Sequence, residues 1–195
     1  MIWLLPLFAY LLGSVSSAIV VAKLFGLQDP RQVGSGNPGA TNILRYGGKK
    51  AAILTLAGDV LKGVIPVAVA HVLQAAPLVL GLTMAGAFLG HVFPVYHGFK
   101  GGKGVATAAG ALLALHPWVG LSLIATWLAT AILTRYSSLS AIVATLASPF
   151  YVWQFTHEPV LIGATAALGA VLLWRHRSNI QKLLASTEPK IGKSK

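Results

Sequence analysis

The chain has 195 residues, of which 55% are hydrophobic and only 10% are charged. A soluble domain of this length would carry roughly 25% charged residues, so most of the surface faces something other than water. Basic residues outnumber acidic ones 15 to 4, and the charges lie in short clusters between long apolar runs. That arrangement indicates anionic lipid headgroups or a phosphorylated substrate, and it argues against nucleic acid as the partner. Cysteine is absent, which excludes disulfides and thiolate chemistry.

Seven apolar segments follow one another and predict an all-α membrane protein with a single domain over residues 1–195. Their approximate bounds are 2–22, 51–73, 77–97, 104–115, 117–134, 138–156 and 159–174. Most of them reach or approach the roughly 17–25 residues that cross a hydrocarbon core. The fourth is short, and one long helix over residues 104–134 would leave six spans. The dipeptide His116-Pro117 favours a break there, because proline disfavours helical backbone at the preceding residue.

The distribution of basic residues predicts the orientation in the membrane. Lys and Arg are absent before Lys23, so residues 2–22 are interpreted as a retained first helix and not as a signal peptide. With seven spans and the N-terminus outside, every Lys and Arg except Lys62 falls on the cytoplasmic side. Six spans would place Arg135 and the basic tail outside, against the positive-inside rule. We therefore predict seven transmembrane helices, an outside N-terminus and a cytoplasmic C-terminus.

The first polar loop, residues 34–42, is rich in glycines and hydrogen-bond donors, and we call it the glycine loop. Its glycines leave backbone N–H groups unshielded, so these groups can converge on an anion. Arg45 follows with a planar fork suited to phosphate. The loop contains Gly-x-Gly-x-x-Gly, but a dinucleotide fold would need a preceding strand. A flexible turn without a ligand is the alternative, although such a turn has little use for so many donors. The candidate binding residues are Gly34, Ser35, Gly36, Asn37, Gly39, Thr41, Asn42 and Arg45.

A second polar loop, residues 100–104, combines two lysines with three glycines, and we call it the lysine loop. Its candidate binding residues are Lys100, Gly101, Gly102, Lys103 and Gly104. The chemistry suits phosphate, but the spacing differs from that of a nucleotide-binding loop, where Ser or Thr follows the lysine. An ordinary positive-inside loop is the alternative. His91 and His97 lie nearby without acidic residues or cysteines, so we expect neither a metal nor a cofactor.

A third polar cluster combines Arg135 with several serines at a helix junction. Ser138 and Ser140 are candidates for substrate binding, yet serines also cap helix N-termini. Capping explains one serine but not the adjoining arginine. Both interpretations therefore stay open.

The basic tail emerges directly from the last apolar segment. His176, Asn179 and Lys182 lie three residues apart and share one face of a helix. Arg175 and Arg177 could simply anchor the helix end at anionic lipid. A histidine with an aligned asparagine is harder to explain in that way, so we predict that this face contributes to a site.

Asp59 and Lys62 lie three residues apart inside the second apolar segment. Ionisable groups within a membrane are costly and usually functional. An ion pair that neutralises both groups without taking part in chemistry is an equally good interpretation. The role of His91, at the end of the third segment, is open in the same way.

Together these residues resemble the bacterial acyl-phosphate:glycerol-3-phosphate acyltransferase family over essentially the whole chain. The matching motifs are Gly13-Ser14, Gly34 to Asn42 with Arg45, Gly58 to Gly63, Gly90-His91, Phe93-Pro94, Lys100 to Thr107, Arg135 to Ser138, and Arg175 to Ile180. The combination of the glycine-loop and lysine-loop motifs is highly specific. The departures are small: Ser16-Ser17 stands where the family often has Pro-Phe or Pro-Thr, and Ser178 where an acidic residue is common.

The resemblance implies transfer of an acyl group from acyl phosphate to the 1-hydroxyl of glycerol 3-phosphate, giving lysophosphatidic acid and inorganic phosphate. It also implies a bacterial inner-membrane enzyme whose active site faces the cytoplasm, with membrane lipids as further partners; we expect a monomer. The family pattern assigns Ser35, Arg45 and Lys103 to the phosphates and the carbonyl. It assigns His176 and Asn179 to glycerol 3-phosphate, and a substrate phosphate to assisting the attacking hydroxyl.

Other function classes fit the sequence less well. An acyl-CoA-dependent glycerolipid acyltransferase needs His-x4-Asp, and neither Asp29 nor Asp59 follows a histidine at that spacing. A CDP-alcohol phosphotransferase needs several aspartates for its metals and fails for the same reason. An anion transporter would place its basic residues near the midplane. A purely structural subunit would leave the glycine loops unexplained.

Overall fold

The structure, a computed structural model, describes residues 2–192, which fold into ten α-helices and two short 3-10 helices without a strand. The α-helices are α1 (Leu5–Gly13), α2 (Ser17–Leu24), α3 (Ala40–Tyr46), α4 (Gly48–Val72), α5 (Pro77–Val92), α6 (Val105–Leu115), α7 (Pro117–Thr134), α8 (Ser137–Thr156), α9 (Pro159–Arg175) and α10 (Arg177–Leu184). The 3-10 helices are Ile2–Leu4 and Val95–His97. The prediction of an all-α protein is confirmed.

Each of the seven predicted apolar segments contains helix. The predicted break at His116-Pro117 is confirmed, since α6 ends at Leu115 and α7 begins at Pro117. The first segment is itself interrupted, because α1 ends at Gly13 and α2 begins only at Ser17. The predicted segment boundaries therefore locate the helices, but they miss this interruption.

Length and apolar composition identify fewer spans than the seven that the sequence predicts. Within residues 2–192, four helical stretches are long and apolar enough to cross a membrane: Ile2–Leu24, Gly48–Val72, Pro77–His97 and Pro117–Thr134. A fifth results if α9 and α10, which meet at a bend of 59°, are taken as one span. Helix α6 has 11 residues, and at 1.5 Å per residue it covers roughly half of a hydrocarbon core.

Glycines allow the closest helix contacts in the bundle. A Cβ atom at Gly63 of α4 would lie 2.2 Å from the carbonyl oxygen of Thr107, and one at Gly110 of α6 would lie 2.2 Å from that of Val60. A Cβ at Gly90 of α5 would likewise lie 2.2 Å from the carbonyl oxygen of Tyr10. Lipid tails are as apolar as leucine, so helices in a membrane associate through such close backbone approach.

Side-chain polarity is inverted relative to a soluble protein. Ile132 and Leu133 of α7 are 77% and 83% exposed, whereas Asp59 and Lys62 of α4 are 3% and 4% exposed. A surface of large apolar side chains around buried charges is stable only in an apolar solvent, because apolar exposure to water is unfavourable. The fold is that of an integral membrane protein.

The packing of α4 against α6 gives a testable difference between two glycines. We expect Gly110→Ala to lower the free energy of unfolding by about 1–3 kcal/mol, because its Cβ has no room beside Val60 and the helices must separate. Gly163→Ala is the matched control, since a Cβ there has no neighbour within 4 Å and alanine is the better helix former. Thermal unfolding of both variants in detergent measures the difference. Equal melting temperatures would contradict the close contact.

Candidate active site

One cavity of about 690 Å³ brings together all the polar regions that the sequence singles out. Its polar end is formed by the glycine loop, the lysine loop, the start of α8, and α10 with the chain that follows. The predicted site residues that line it are Ser35, Asn37, Gly39, Thr41, Asn42, Arg45, Lys103, Gly104, Ser138, His176, Asn179 and Lys182. Asp59 and His91 also line the cavity. Four stretches that are distant in sequence therefore form one site.

Other predicted site residues do not line the cavity. They are Gly34, Gly36, Lys62, Lys100, Gly101, Gly102, Arg135 and Ser140. The Ser140 hydroxyl donates to the carbonyl of Tyr136, so it serves the first turn of α8. The Arg135 guanidinium donates to the carbonyl of Ile191 and holds the chain after α10. These two side chains support the site without facing a substrate.

Asn42 organises the glycine loop instead of offering its amide group to a ligand. Its side chain is buried, and both amide protons are donated to backbone carbonyls, at 2.9 Å to Pro30 and 3.0 Å to Val33. Its Oδ1 accepts from the backbone N–H of Ser35 at 2.9 Å. Gly34 is required there, because φ is +61° and a Cβ would lie 2.2 Å from Asn42 Oδ1. Asn42 is therefore a scaffold residue, which corrects its assignment as a substrate donor.

The backbone of the glycine loop is also less open than its glycines suggest. The N–H of Ser35 binds Asn42, that of Gly36 binds the carbonyl of Val33, and that of Gly39 binds the carbonyl of Asn37. These three N–H groups are satisfied within the loop, so they do not form the free anion nest that the sequence predicts. The N–H groups of Asn37, Ala40 and Thr41, which also line the cavity, have no acceptor within residues 2–192, so these groups and the side chains are what the loop offers to an anion.

Two cations on the cavity wall have no protein partner among the described residues. Arg45, on α3, is exposed and makes neither an ion pair nor a hydrogen bond there, and the Nζ of Lys182 on α10 is free in the same sense. An arginine fork matches the geometry of a phosphate. Arg45 and Lys182 are thus available to a doubly charged ligand.

The remaining polar groups form a chain of hydrogen bonds across the site. Lys103 Nζ donates to Asn179 Oδ1. The amide of Asn179 donates to Glu188 Oε1 at 2.7 Å, and the same oxygen accepts from the Ser138 hydroxyl at 2.7 Å. The chain links the lysine loop to α10, α8 and the C-terminal segment. It fixes the Lys103 ammonium in one position.

Glu188 is a site residue that the sequence analysis missed. It is 9% exposed, lines the cavity, and its Oε2 has no hydrogen-bond partner within residues 2–192. One signal was available: Glu188 is one of only four acidic residues, and it stands in a tail that is otherwise basic. An isolated acid among cations is a candidate counter-ion.

The pKa of Lys103 is lowered to about 8, mainly because burial penalises the charged ammonium. Glu188 opposes this shift, whereas the cations Arg175, Lys182 and Arg45 add to it. Lys103 is therefore still protonated at pH 7. An incoming phosphate would offset much of the repulsion between Lys103 and the neighbouring cations. A partly dehydrated ammonium interacts with an anion more strongly than a solvated one.

His176, which lies just beyond the end of α9, is held as a neutral hydrogen-bond acceptor. Its Nδ1 lies 2.9 Å from the carbonyl oxygen of Leu172, which can only accept, so Nδ1 carries the proton. The pKa of His176 is lowered to about 4, mainly by burial and in part by the nearby charge of Lys103. Nε2 therefore presents a lone pair, which suits a hydroxyl group.

The cavity continues from its polar end into an apolar arm between the helices. Three turns along α9 from His176, Thr165 still lines the cavity, so the arm extends roughly 16 Å. The large apolar side chains on its wall are Met84, Leu112, Leu113, Leu123, Ile124, Trp127, Leu128, Leu168 and Leu172. The site thus joins a cationic end to a hydrocarbon-like arm.

Comparison with known proteins agrees with this architecture. Residues 3–186 match the family model described as glycerol-3-phosphate acyltransferase. The glycerol-3-phosphate acyltransferase of Thioalkalivibrio sulfidiphilus is 57% identical over 188 residues, which cover 96% of this chain and 93% of that protein. The one of Methylococcus capsulatus is 51% identical over 190 residues, with coverages of 97% and 96%.

Two solved structures have the same fold. The glycerol 3-phosphate form of PlsY (YgiH), an integral membrane glycerol 3-phosphate acyltransferase, superposes with a TM-score of 0.93 at 42% identity, covering 98% of this chain and 96% of that chain. Its lysophosphatidic acid form gives a TM-score of 0.91 at 40% identity, with coverages of 98% and 95%. The chain belongs to the glycerol-3-phosphate acyltransferase family of integral membrane enzymes.

Proposed function

We propose that this enzyme transfers an acyl group from acyl phosphate to the 1-hydroxyl of glycerol 3-phosphate, giving lysophosphatidic acid and inorganic phosphate. The cavity carries the proposal, because one space combines a cationic end with an apolar arm. Acyl phosphate has the same two parts, a phosphate head and a hydrocarbon chain. The acceptor, glycerol 3-phosphate, adds a second phosphate that the remaining cations can bind.

The apolar arm would hold the acyl chain and place its carbonyl carbon at the polar end. The arm runs between α6, α7, α8 and α9, from the lysine loop towards Thr165. Burial of the chain there is favourable by about 0.8 kcal/mol for each methylene removed from water. A donor bound in this way presents its phosphate to Lys103, Arg45 and Ser35.

The reaction needs no covalent enzyme intermediate. The hydroxyl oxygen of glycerol 3-phosphate attacks the carbonyl carbon, and the bond from that carbon to the phosphate oxygen then breaks. The hydroxyl proton passes to a substrate phosphate, and inorganic phosphate leaves. Because phosphate is already a good leaving group, the protein contributes mainly by stabilising negative charge on the carbonyl oxygen and on the leaving phosphate.

His176 would orient the attacking hydroxyl without deprotonating it. Its neutral Nε2 can accept a hydrogen bond from that hydroxyl, since Nδ1 is committed to Leu172. A pKa of about 4 makes this imidazole a weak base at neutral pH. That property supports a substrate phosphate as the final proton acceptor. Asn179, beside Lys103, would bind the acceptor's phosphate.

For the membrane arrangement we propose seven spans, with the N-terminus outside and the active site facing the cytoplasm of a bacterial inner membrane, and we propose a monomer. The seven helix-containing segments and the one-sided basic residues support this topology. Because α6 has only 11 residues, it is too short to span the hydrocarbon core by itself, and we propose that neighbouring helices shield its ends from lipid.

The topology can be tested with reporter fusions. Fusions after Lys50, Gly104 and Lys195 should all report a cytoplasmic location, because each lies in or beside a basic segment. A fusion at Gln74, in the connection between α4 and α5, is the control and should report the outside. A periplasmic signal at Lys195 would contradict seven spans.

The choice of donor is tested by offering two donors to the purified enzyme. With glycerol 3-phosphate present, acyl phosphate should give lysophosphatidic acid and acyl-CoA should not, since the sequence lacks the His-x4-Asp pair that serves CoA-dependent enzymes. Product formation is followed by mass spectrometry or with radiolabelled glycerol 3-phosphate. Equal rates with the two donors would contradict the proposal.

Lys103 should be the most sensitive cation of the site. We expect Lys103→Ala to lower kcat/KM by roughly two to three decades, as loss of one preorganised charge-stabilising donor costs about 2.7–4 kcal/mol. The protein should still fold and insert, because other basic residues preserve the charge bias. Lys49→Ala, on the exposed first turn of α4, is the control. If Lys103→Ala kept half of the wild-type turnover, Lys103 would be an ordinary positive-inside charge.

The pH profile tests the same residue through its pKa. The Lys103 ammonium is charged below about pH 8 and neutral above it, so kcat/KM for the free enzyme should fall as the pH rises through that value. In Lys103→Arg the guanidinium stays charged throughout, so this alkaline decrease should vanish although the overall rate is lower. An alkaline decrease that persists in Lys103→Arg would exclude Lys103 as its cause.

A further inference from the structure

A buried cluster of ionisable groups lies beneath the lysine loop. Asp59 and Lys62 on α4 are 3% and 4% exposed, and His91 near the end of α5 is 8% exposed. Lys62 Nζ lies 2.9 Å from Asp59 Oδ1, and His91 Nδ1 lies 3.5 Å from the same oxygen. Burying such groups is costly, and none of them has a part in the acyl transfer described above.

The position of Lys62 is explained by the interruption of the first span. Lys62 Nζ donates to the carbonyl oxygen of Val15 at 3.0 Å, and Val15 lies between α1 and α2. A carbonyl freed by a helix break inside a bundle needs a donor. The ammonium in turn needs a counter-ion, which Asp59 supplies. The second contact of Asp59, with His91, is not explained in this way.

His91 packs directly against the lysine loop at Gly102. Its carbonyl oxygen accepts from the N–H of Gly102 at 3.1 Å. A Cβ atom at Gly102 would lie 2.2 Å from His91 Nε2 and 3.1 Å from the carbonyl oxygen of Pro38 in the glycine loop. The imidazole ring and the glycine loop therefore enclose Gly102, one residue before Lys103. From the other side, Arg175 donates to the carbonyl of Gly101 at 2.9 Å.

Asp59 Oδ1 faces both Lys62 Nζ and His91 Nδ1. His91 Nδ1 makes no hydrogen bond within residues 2–192, so its 3.5 Å contact with the Asp59 carboxylate is the polar contact that can orient the ring. A carboxylate opposite one imidazole nitrogen fixes the orientation of the ring and the position of its proton. Rotation of the ring would move Nε2, which is the atom against which Gly102 packs.

We propose that Asp59 and His91 are positioning residues for the lysine loop: Asp59 orients the His91 ring, and the ring sets the path of Gly102 and thereby the place of Lys103. The inference rests on the proposed function, because the place of Lys103 matters only if Lys103 binds substrate. A displacement of about 1 Å at a catalytic group costs on the order of a hundredfold in rate.

A double-mutant cycle on the purified enzyme tests whether Asp59 acts through His91. The variants are Asp59→Asn, His91→Gln and the combination, each measured for kcat, KM for both substrates, and melting temperature. We expect each single variant to raise at least one KM and to lower kcat/KM by about ten- to a hundredfold. The double variant should be no worse than the more affected single variant, because both changes break the same connection.

Two further variants separate positioning from stability. Asp59→Asn/Lys62→Met removes both charges but leaves the Val15 carbonyl without its donor. It should recover part of the melting temperature lost in Asp59→Asn while kcat/KM stays low, because an unpaired buried charge costs more than an unpaired carbonyl. Thr55→Val removes a buried hydroxyl that has no hydrogen-bond partner in the described part of the chain and lies one turn before Asp59. It should leave both KM values unchanged. Recovery of kcat/KM in the charge-free variant would overturn the proposal, and so would unchanged KM values in every variant or losses that multiply in the double mutant.

Ligand binding keeps the test independent of the proposed reaction. If the wild type turns over neither donor, the acyl-phosphate reaction fails, and glycerol 3-phosphate and inorganic phosphate are then used as thermal-shift ligands. The shift should be present in the wild type and in Thr55→Val, and it should be lost in His91→Gln and in Asp59→Asn/Lys62→Met. An equal shift in all of them would overturn the positioning role by itself.

Discussion

The close approach of helix backbones is the constraint on which the rest of the structure depends. In an apolar solvent, helices gain little from burying leucine, so association relies on packing. Gly90 brings α5 against α1, and Gly63 and Gly110 bring α4 against α6. The lysine loop is the last part of the connection between α5 and α6, residues 93–104, so these contacts fix both ends of that connection. The position of the Lys103 ammonium therefore depends on glycines inside the bundle.

Two of the few acidic residues act as counter-ions for basic residues at important positions. Asp59 neutralises Lys62 in the interior, and Glu188 is linked to Lys103 through Asn179. Both carboxylates hold cations whose position matters. The site still keeps an excess of positive charge on its wall. Such an excess is unfavourable until a ligand with negative charge arrives, so substrate binding and charge compensation are the same event.

The shape of the site follows from its position between water and lipid. Its cationic end lies where loops meet, and its apolar arm runs between α8 and α9 as far as Thr165. A ligand with a charged head and a hydrocarbon tail can enter this space without exposing its tail to water or its head to lipid. Neither end alone would select such a ligand. His176 and Lys103 line the polar end of this space, and chemistry can occur beside them.

The sequence by itself determined the helical class, the seven apolar segments, the break at His116-Pro117 and the family, because local composition and contiguous motifs carry that information. Only the tertiary structure decided which polar groups face the cavity. Ser138 and Glu188 are 50 positions apart, yet they share a hydrogen bond. The side-chain amide of Asn42 donates to the backbone carbonyls of Pro30 and Val33, so it is not available to a ligand. A motif gives a residue's type and spacing, whereas its hydrogen-bond partner depends on directions in space that only the packed helices set.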